Sequence, residues 1–305
     1  MASFSLIIPY YNREKTLQRT LDSVAAQTLR PLEVLLVDNN STDSSTRIAE
    51  TFAEKADKVL DVRLLSCPKK GAAAARNVGL DEAKGDYVYF FDSDDEMTPS
   101  FFADAARKLK RNDDEALFCS TKIVFPDGRV EVRNYGFSRF ASHQILTGFL
   151  STQSVVYRRD FLLRIGKWNE GLFYWIDWEL GTRVLLCHPR FCVLKKKIYH
   201  ILYSHADSIT GSSFSEHVND IEKAFTQVRL NILRFPDRHV RRSLRALSHR
   251  EAIVAGLMYK EGDKVAAKRV FALIGCQREK LIQRMVCHLF FKYTAIGGKG
   301  TWHFA

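Results

Sequence analysis

The stretch Tyr87-Val88-Tyr89-Phe90-Phe91-Asp92-Ser93-Asp94-Asp95 is an apolar run of strand length that ends abruptly in three carboxylates. A continuous apolar run reads as a buried parallel strand. Carboxylates just past its C-terminal end lie where open α/β sheets bind ligands. Asp92 and Asp94, with one residue between them, can share a hard divalent cation, because Mg²⁺ and Mn²⁺ prefer oxygen ligands. The plainer reading is an acidic loop that caps a helix starting near Pro99. The rest of the chain favours the first reading, because other segments point to the same site.

The residues before this stretch alternate strand and helix signals. Phe4 to Ile8 reads as a strand, and Thr16 to Gln27 as an amphipathic helix with Leu17, Leu21 and Val24 on one face. Leu32 to Val37 is a second strand. Ser41-Thr42-Asp43-Ser44 supplies helix-capping chemistry for a helix that runs to about Lys55. Val62 to Leu65 is a third strand, Ala72 to Ala83 a helix, and Tyr87 to Phe91 the fourth strand. This spacing predicts right-handed βαβ units and a mostly parallel central sheet flanked by helices. Beyond Phe118 short strands and aromatic-rich loops run to about Gly211, with Pro126-Asp127-Gly128 as a hairpin turn. From about Ser215 the chain reads as helix with a polar break at Glu261-Gly262-Asp263. The expected division is a catalytic domain over 1–212, with a nucleotide-binding half (1–115) and an acceptor-binding half (116–212), then a basic helical region over 213–305.

At 305 residues, 46% hydrophobic and 27% charged, the chain has the composition of a globular protein with room for a full core. No apolar run approaches bilayer length, and the N-terminal residues read as a strand and not as a signal peptide. Six scattered cysteines fit reduced thiols, and Cys187-His188 with Cys192 lacks the second Cys/His pair of a zinc site. A cytoplasmic protein is expected, peripheral at the inner face of the plasma membrane if its basic region binds lipid. The net charge of +11 is uneven: residues 229–305 hold 16 Lys and Arg against 5 Asp and Glu, and the remainder is balanced. Such asymmetry points to an anionic partner.

The other strand ends carry complementary chemistry. The first ends in Pro9-Tyr10-Tyr11-Asn12, where aromatic rings can stack on a base and Asn12 can hydrogen-bond it. The second ends in Asp38-Asn39, a carboxylate and an amide able to read a pyrimidine edge or simply to shape the turn. Lys69, Lys70 and Gly71 precede an Ala-rich helix start that continues to Arg76, and cations at a helix N-terminus can hold phosphate. A solvated basic loop is the alternative there.

In this order and spacing, Ile-Ile-Pro-Tyr-Tyr-Asn, Val-Asp-Asn-Asn-Ser-Thr-Asp, Gly-(four residues)-Arg-Asn-Val-Gly and Phe-Phe-Asp-Ser-Asp-Asp resemble family 2 glycosyltransferases of the GT-A fold. The resemblance continues through Ile165-Gly166-Lys167-Trp168-Asn169-Glu170, Asp177-Trp178-Glu179-Leu180 and Tyr203-Ser204-His205 with Ser208, and covers about residues 3 to 210. It implies a nucleotide-sugar donor, expected to be a UDP-sugar, a Mn²⁺ or Mg²⁺ cofactor and inversion at the anomeric carbon. Asp94 matches the direct metal ligand. Asp92 lies nearer the ribose and, with Ser93, in the donor site; Asp38 matches the base-contacting acid and Asp177 the catalytic base. His205 reaches the metal or diphosphate, or is a structural histidine. Trp168, Trp178 and Glu179 are acceptor-side candidates, with core packing as the alternative for both tryptophans. Two departures are Asn39 where many relatives carry Asp, and Ile176 where many carry Glu.

The chemistry asks for such roles. Charge on a departing diphosphate is stabilised by a cation. The anomeric carbon becomes oxocarbenium-like. A carboxylate that takes the acceptor hydroxyl proton contributes about 10²–10⁴-fold. The expected acceptor is a saccharide or lipid-linked saccharide of a surface glycan. A nucleotidyltransferase would need a Gly-rich loop after the first strand, and Pro9-Tyr10-Tyr11-Asn12 is not one. A nucleic-acid-binding protein would leave the ordered acids without a purpose, so no nucleic-acid partner is expected. In the basic region Lys280, Arg284 and Lys292 share a segment with Leu281, Met285, Leu289 and Phe290. That pattern reads either as an amphipathic helix on an anionic membrane or as a packed helix with solvated cations.

Overall fold

The computed structural model describes residues 2–56, 59–109, 114–133, 138–203, 213–235, 239–276 and 281–298. Strands β1 (Phe4–Tyr10), β2 (Glu33–Asp38), β3 (Asp61–Ser66) and β4 (Tyr87–Phe90) pair in the order β3-β2-β1-β4, all parallel. The crossovers are α1 (Leu17–Ala25), α2 (Ser45–Ala56) and α3 (Ala72–Glu82). Every residue of β1 and β4 is buried, which is why neither sequence alternates. Helix α1 buries Leu17, Leu21 and Val24, the face that its spacing specifies. Helix α3 lies close on β1: a Cβ at Gly79 would fall 2.5 Å from Cγ2 of Ile7.

Past β4 the sheet continues as β8 (Val155–Arg158), β6 (Ala116–Val124), β9 (Phe191–Tyr203) and β5 (Glu96–Met97). Here it is mixed: β4–β8, β6–β8 and β5–β9 are antiparallel, and β6–β9 is parallel. Strand β7 (Val130–Arg133) forms a hairpin with β6, closed at Val124 and Val130 around the expected Pro126-Asp127-Gly128 turn. Helix α4 (Phe101–Lys108) supplies Phe101 and Phe102 to the core. Their rings lie 4.8 Å from Tyr89 and 5.3 Å from Phe4 respectively. Each such fully buried side chain contributes about 1.5–3 kcal/mol.

The aromatic-rich segment expected as loop also contains helices α5 (Ala141–Thr147), α6 (Arg159–Ile165) and α7 (Ile176–Leu186). The first two are only seven residues long. In α7 every residue from Trp178 to Leu186 is buried, so no polar face marks a helical period. The C-terminal helices are α8 (Val218–Arg234), α9 (Val240–Lys260), α10 (Lys264–Ala272) and α11 (Leu281–Ala295), with the expected break between α9 and α10. Asp263 caps α10, accepting from the amides of Val265 and Ala266.

The chain forms two compact units by its internal contacts. One comprises 1–137, 150–173 and 189–205 and contains the sheet; the other comprises 138–149, 174–188 and 206–305 and is helical. The expected boundary at 212 therefore differs from the observed one. Helices α5 and α7 belong with the C-terminal helices, because α5 packs on α9 and α7 on α8.

Candidate active site

In the sheet unit, the loop after β4 is held through both its carboxylates and its backbone carbonyls. Arg76 Nη2 lies 2.6 Å from Oδ1 of Asp92, and Gln153 Nε2 donates to Oδ2 of Asp92 at 2.6 Å and to Oδ2 of Asp95 at 2.7 Å. The amide of Tyr203 donates to the other oxygen of Asp95. Burial, then the neighbouring Asp92 and Asp94, hold the Asp95 carboxyl well above the usual carboxylate range. Helix α1 and the residue before it fix the backbone. Thr16, Arg19 and Thr20 donate to the carbonyls of Ser93, Asp94 and Asp95 in turn. The spacing i, i+3, i+4 puts those three side chains on one face.

Asp94 and Asp92 are both partly exposed, at 22% and 32% of their side chains, and Asp94 faces Arg13 Nη2 at 3.6 Å. Asp92 has both oxygens engaged inside the chain. Hard carboxylate oxygens on one loop fit Mg²⁺ or Mn²⁺, which is commonly bound through one or two carboxylates together with substrate phosphates and water. Among the described residues no group of three or more His, Cys, Asp or Glu side chains forms a complete cage. His205 lies outside the described residues.

At the end of β1, Tyr10 is buried beside Asp38, its register partner on β2. Burial first, and then Asp38, push its phenol up to about 12. Its ring is therefore part of the core, and Tyr11, 51% exposed, is the available aromatic surface. Pro9 is buried in β1. Asn12 adopts a left-handed φ of 50°, a conformation that asparagine tolerates. Its Oδ1 accepts from the Thr42 amide. Asp38 accepts from the Ser41 amide at 2.9 Å and from the Thr46 hydroxyl at 3.2 Å.

Asn39 is buried, and its amide is committed within the chain. It donates to the carbonyls of Cys67 and Lys69 and accepts from the Gly71 amide. The expectation that Asn39 reads a base edge is corrected accordingly: it joins the end of β2 to the start of α3. Gly71, at φ +122°, makes that start possible, since an L side chain there would be strained and would press on Phe173. Lys69 pairs with Glu170 at 2.7 Å, and Lys70 is exposed at the same helix end. Hydrogen bonding from Asn77, then Lys69, holds the Glu170 carboxyl below its ordinary range.

Trp168 is 2% exposed. It packs edge-on against Phe90 and carries the Arg76 guanidinium 4.5 Å over its ring. It offers no face to an acceptor sugar and instead backs Arg76. Two nitrogens of Arg76, Nε and Nη1, are buried without a hydrogen-bond partner among the described residues.

In the helical unit, Asp177 stands in the first turn of α7, and its Oδ1 accepts from the Trp178 amide at 2.8 Å. The residue before α7, Trp175, holds a left-handed φ of 56°, a strained conformation for a bulky side chain. Trp178 is buried, donates its indole N–H to the Ile145 carbonyl and packs edge-on against Phe225. Glu179 is 1% exposed and is held by Arg183 at 2.8 and 2.9 Å and by Asn231 at 2.6 Å. The acceptor roles expected for Trp178 and Glu179 are corrected on these grounds: both are framework.

Gln153, Arg13, Arg19 and Arg250 lie outside every motif that sequence reading singled out as a site. Gln153 is a neutral side chain in a short 3₁₀ turn, Thr152–Ser154, and no periodicity marks it. The spacing of Thr16, Arg19 and Thr20 was a readable signal for one functional helix face.

Comparison with known proteins gives a consistent result. The family model described as "Glycosyl transferase family 2" matches residues 5–166. A glycosyltransferase of Escherichia coli K12, YibD, itself uncharacterised, is 27% identical over 297 residues, 88% of this chain and 83% of its own. Among solved structures, S. aureus TarS 1–349 in complex with UDP-GlcNAc superposes with a TM-score of 0.68 at 23% identity, over 96% of this chain and 81% of that one. The mannosyltransferase PcManGT of Pyrobaculum calidifontis, solved with GDP-Man and Mn²⁺, gives 0.62 at 17%, over 97% and 86%. The expected GT-A architecture is thereby borne out.

Proposed function

The chain belongs to glycosyl transferase family 2 and is a transferase enzyme, and we propose that it moves a sugar, with inversion, from a UDP-sugar to a hydroxyl of a saccharide or lipid-linked saccharide in surface glycan synthesis. The observation that carries this reading is the Asp92–Asp95 loop. Arg76 and Gln153 bind its carboxylates and Thr16, Arg19 and Thr20 bind its backbone carbonyls, with the Asp94 side chain 22% exposed. Carboxylates fixed at a strand end can hold a divalent cation, and positive charge is what a departing diphosphate requires.

In this reading Asp38 and Tyr11 receive the base. Lys70 and the amides at the start of α3 receive phosphate, favoured by the positive end of the helix. Asp92, with Ser93, orients the ribose side of the donor, and Arg76 places its guanidinium on Asp92. Asp94, with Asp92, would hold Mn²⁺ or Mg²⁺, which when bound neutralises charge on the leaving diphosphate. Asp177 takes the proton from the acceptor hydroxyl as that oxygen attacks the anomeric carbon. TarS, solved with UDP-GlcNAc, and PcManGT, solved with GDP-Man and Mn²⁺, support the donor class and the cation.

The C-terminal helices support a peripheral position on an anionic membrane. No described helix is long and apolar enough to cross one. On α11, Ile282, Met285 and Leu289 are 74%, 60% and 65% exposed. At about 100° per residue they fall on one stripe, with Lys292 beside it and Arg284 further round. Cys287 and Thr294 on the opposite side are buried. An exposed apolar stripe flanked by cations is the pattern of an interfacial helix. Lys280 lies outside the described residues.

The deciding experiment is a thermal-shift screen of nucleotide sugars with and without Mn²⁺, followed by product analysis. Stabilisation by one UDP-sugar, enhanced by Mn²⁺, is expected, because ligands that bind only the native state raise apparent stability. No stabilisation by any nucleotide sugar overturns the donor reading.

A further inference from the structure

In the helical unit three arginines pair with an acid. Arg183 pairs with Glu179, Arg229 with Glu251 and Arg269 with Glu222. Arg250, on α9, has none among the described residues. Its Nη1 donates to the Leu146 carbonyl at 2.8 Å, at the end of α5, and its guanidinium lies 5.2 Å over the Trp175 ring. Its Nε is buried without a hydrogen-bond partner. Burial alone lowers its pKa to about 10, and the modest opposing influence comes from the Tyr174 phenol and not from a carboxylate. The group is still a cation at neutral pH. A cation taken from water without an anion is costly, and buried charges are ordinarily paired.

The surroundings of Arg250 are those of the proposed base. Trp175 is the strained residue immediately before α7, and Asp177 lies in the first turn of that helix. Tyr174 stacks on His217 at 4.5 Å, and its phenol feels both Arg250 and Asp177. The Trp175 ring covers the guanidinium on one side and the residue is only partly exposed, so an oxyanion brought against it is bound more strongly than at an open surface. A guanidinium presents a fork of N–H donors matched to phosphate and carboxylate.

We propose that Arg250 binds an oxyanion of the acceptor, so that the glycan accepting the sugar carries a phosphate or carboxylate near its reacting hydroxyl. This deepens the reading above and rests on Asp177 being the acceptor-side base. It assigns Arg250 to substrate selection and not to the chemical step.

The test is equilibrium binding by the full chain, without turnover. Glycerol 3-phosphate and methyl glucuronate are titrated by calorimetry into wild type, Arg250→Gln and Arg250→Met, with the exposed Arg241→Gln as control. Wild type and Arg241→Gln should bind one of the two anions saturably, and which one tells phosphate from carboxylate. Both Arg250 variants should lose at least tenfold in affinity. Gln can keep a donor for Leu146, and Met removes the unpaired charge, so neither should melt more than a few degrees lower. Unchanged anion affinity in a folded variant overturns the proposal, as does a large drop in melting temperature in both, which would make Arg250 a structural cap of α5. Competition of the anion with UDP also overturns it, by placing the anion in the donor site. Asp177→Asn should bind the anion like wild type, so failure of the base assignment is told apart from failure of this one.

Discussion

Asp94 of the Asp92–Asp95 loop and Glu179 of α7 both lie in acidic motifs beside aromatic residues, yet they are in opposite states. Around Asp92–Asp95 the loop backbone is pinned by three side chains of one helix face, while the Asp94 carboxylate stays partly in solvent. Around Glu179 the carboxylate itself is enclosed, bound twice by Arg183 and once by Asn231. A carboxylate can serve a ligand only when it keeps oxygen lone pairs facing outward. One that fills its lone pairs inside the fold contributes to structure. Acidic residue type is the same in both places, and the position of the partners makes the difference.

The sharpest break of this contrast is at Asp177. Asp177→Asn should lower turnover by about 10²–10⁴-fold with donor affinity near wild type, because an amide cannot accept the acceptor's proton. Steady-state rates beside a donor-binding isotherm check it, and near-normal turnover would place the base elsewhere.

Glu179→Ala should show the other side. It strands Arg183 in the interior and should cost about 3–5 kcal/mol of folding stability, measured by urea unfolding. Donor affinity of the folded fraction should not change. If the variant is as stable as wild type, the buried pair is not framework.

Asp94→Asn should leave the ligand-free melting temperature unchanged and remove most of the Mn²⁺-dependent part of donor stabilisation. A tenfold loss in affinity corresponds to about 1.4 kcal/mol. Persistence of the Mn²⁺ effect would move the metal role to another residue.

The smallest effect is expected on α11. Replacing Arg284 and Lys292 with Gln should weaken binding to anionic vesicles by about 1 kcal/mol per cation. Binding by wild type should fall steeply with salt, because the attraction is screened over about 10 Å at 0.1 M. Co-sedimentation with neutral and anionic vesicles measures both, and equal, salt-insensitive binding would remove the electrostatic part of the anchor.

The sequence by itself determined the parallel β3-β2-β1-β4 core, because strands buried on both faces must be apolar throughout and their crossover helices must show a stripe such as Leu17, Leu21 and Val24. It also singled out Asp92 and Asp94 as candidates, since loop acids after a strand stand out against an apolar run, while Asp177 was a candidate through the family resemblance. It could not separate ligand-facing groups from framework. Trp168, Trp178, Glu179, Tyr10 and Asn39 have residue types suited to binding, and the partners that hold several of them lie 32 to 91 positions away, such as Gly71, Asn231 and Asn77. Only the tertiary structure brought Gln153 to the acidic loop and left Arg250 without an acid among the described residues. Hydrogen-bond partners and exclusion of water are properties of three-dimensional proximity, and linear spacing encodes proximity only within one helix or one strand.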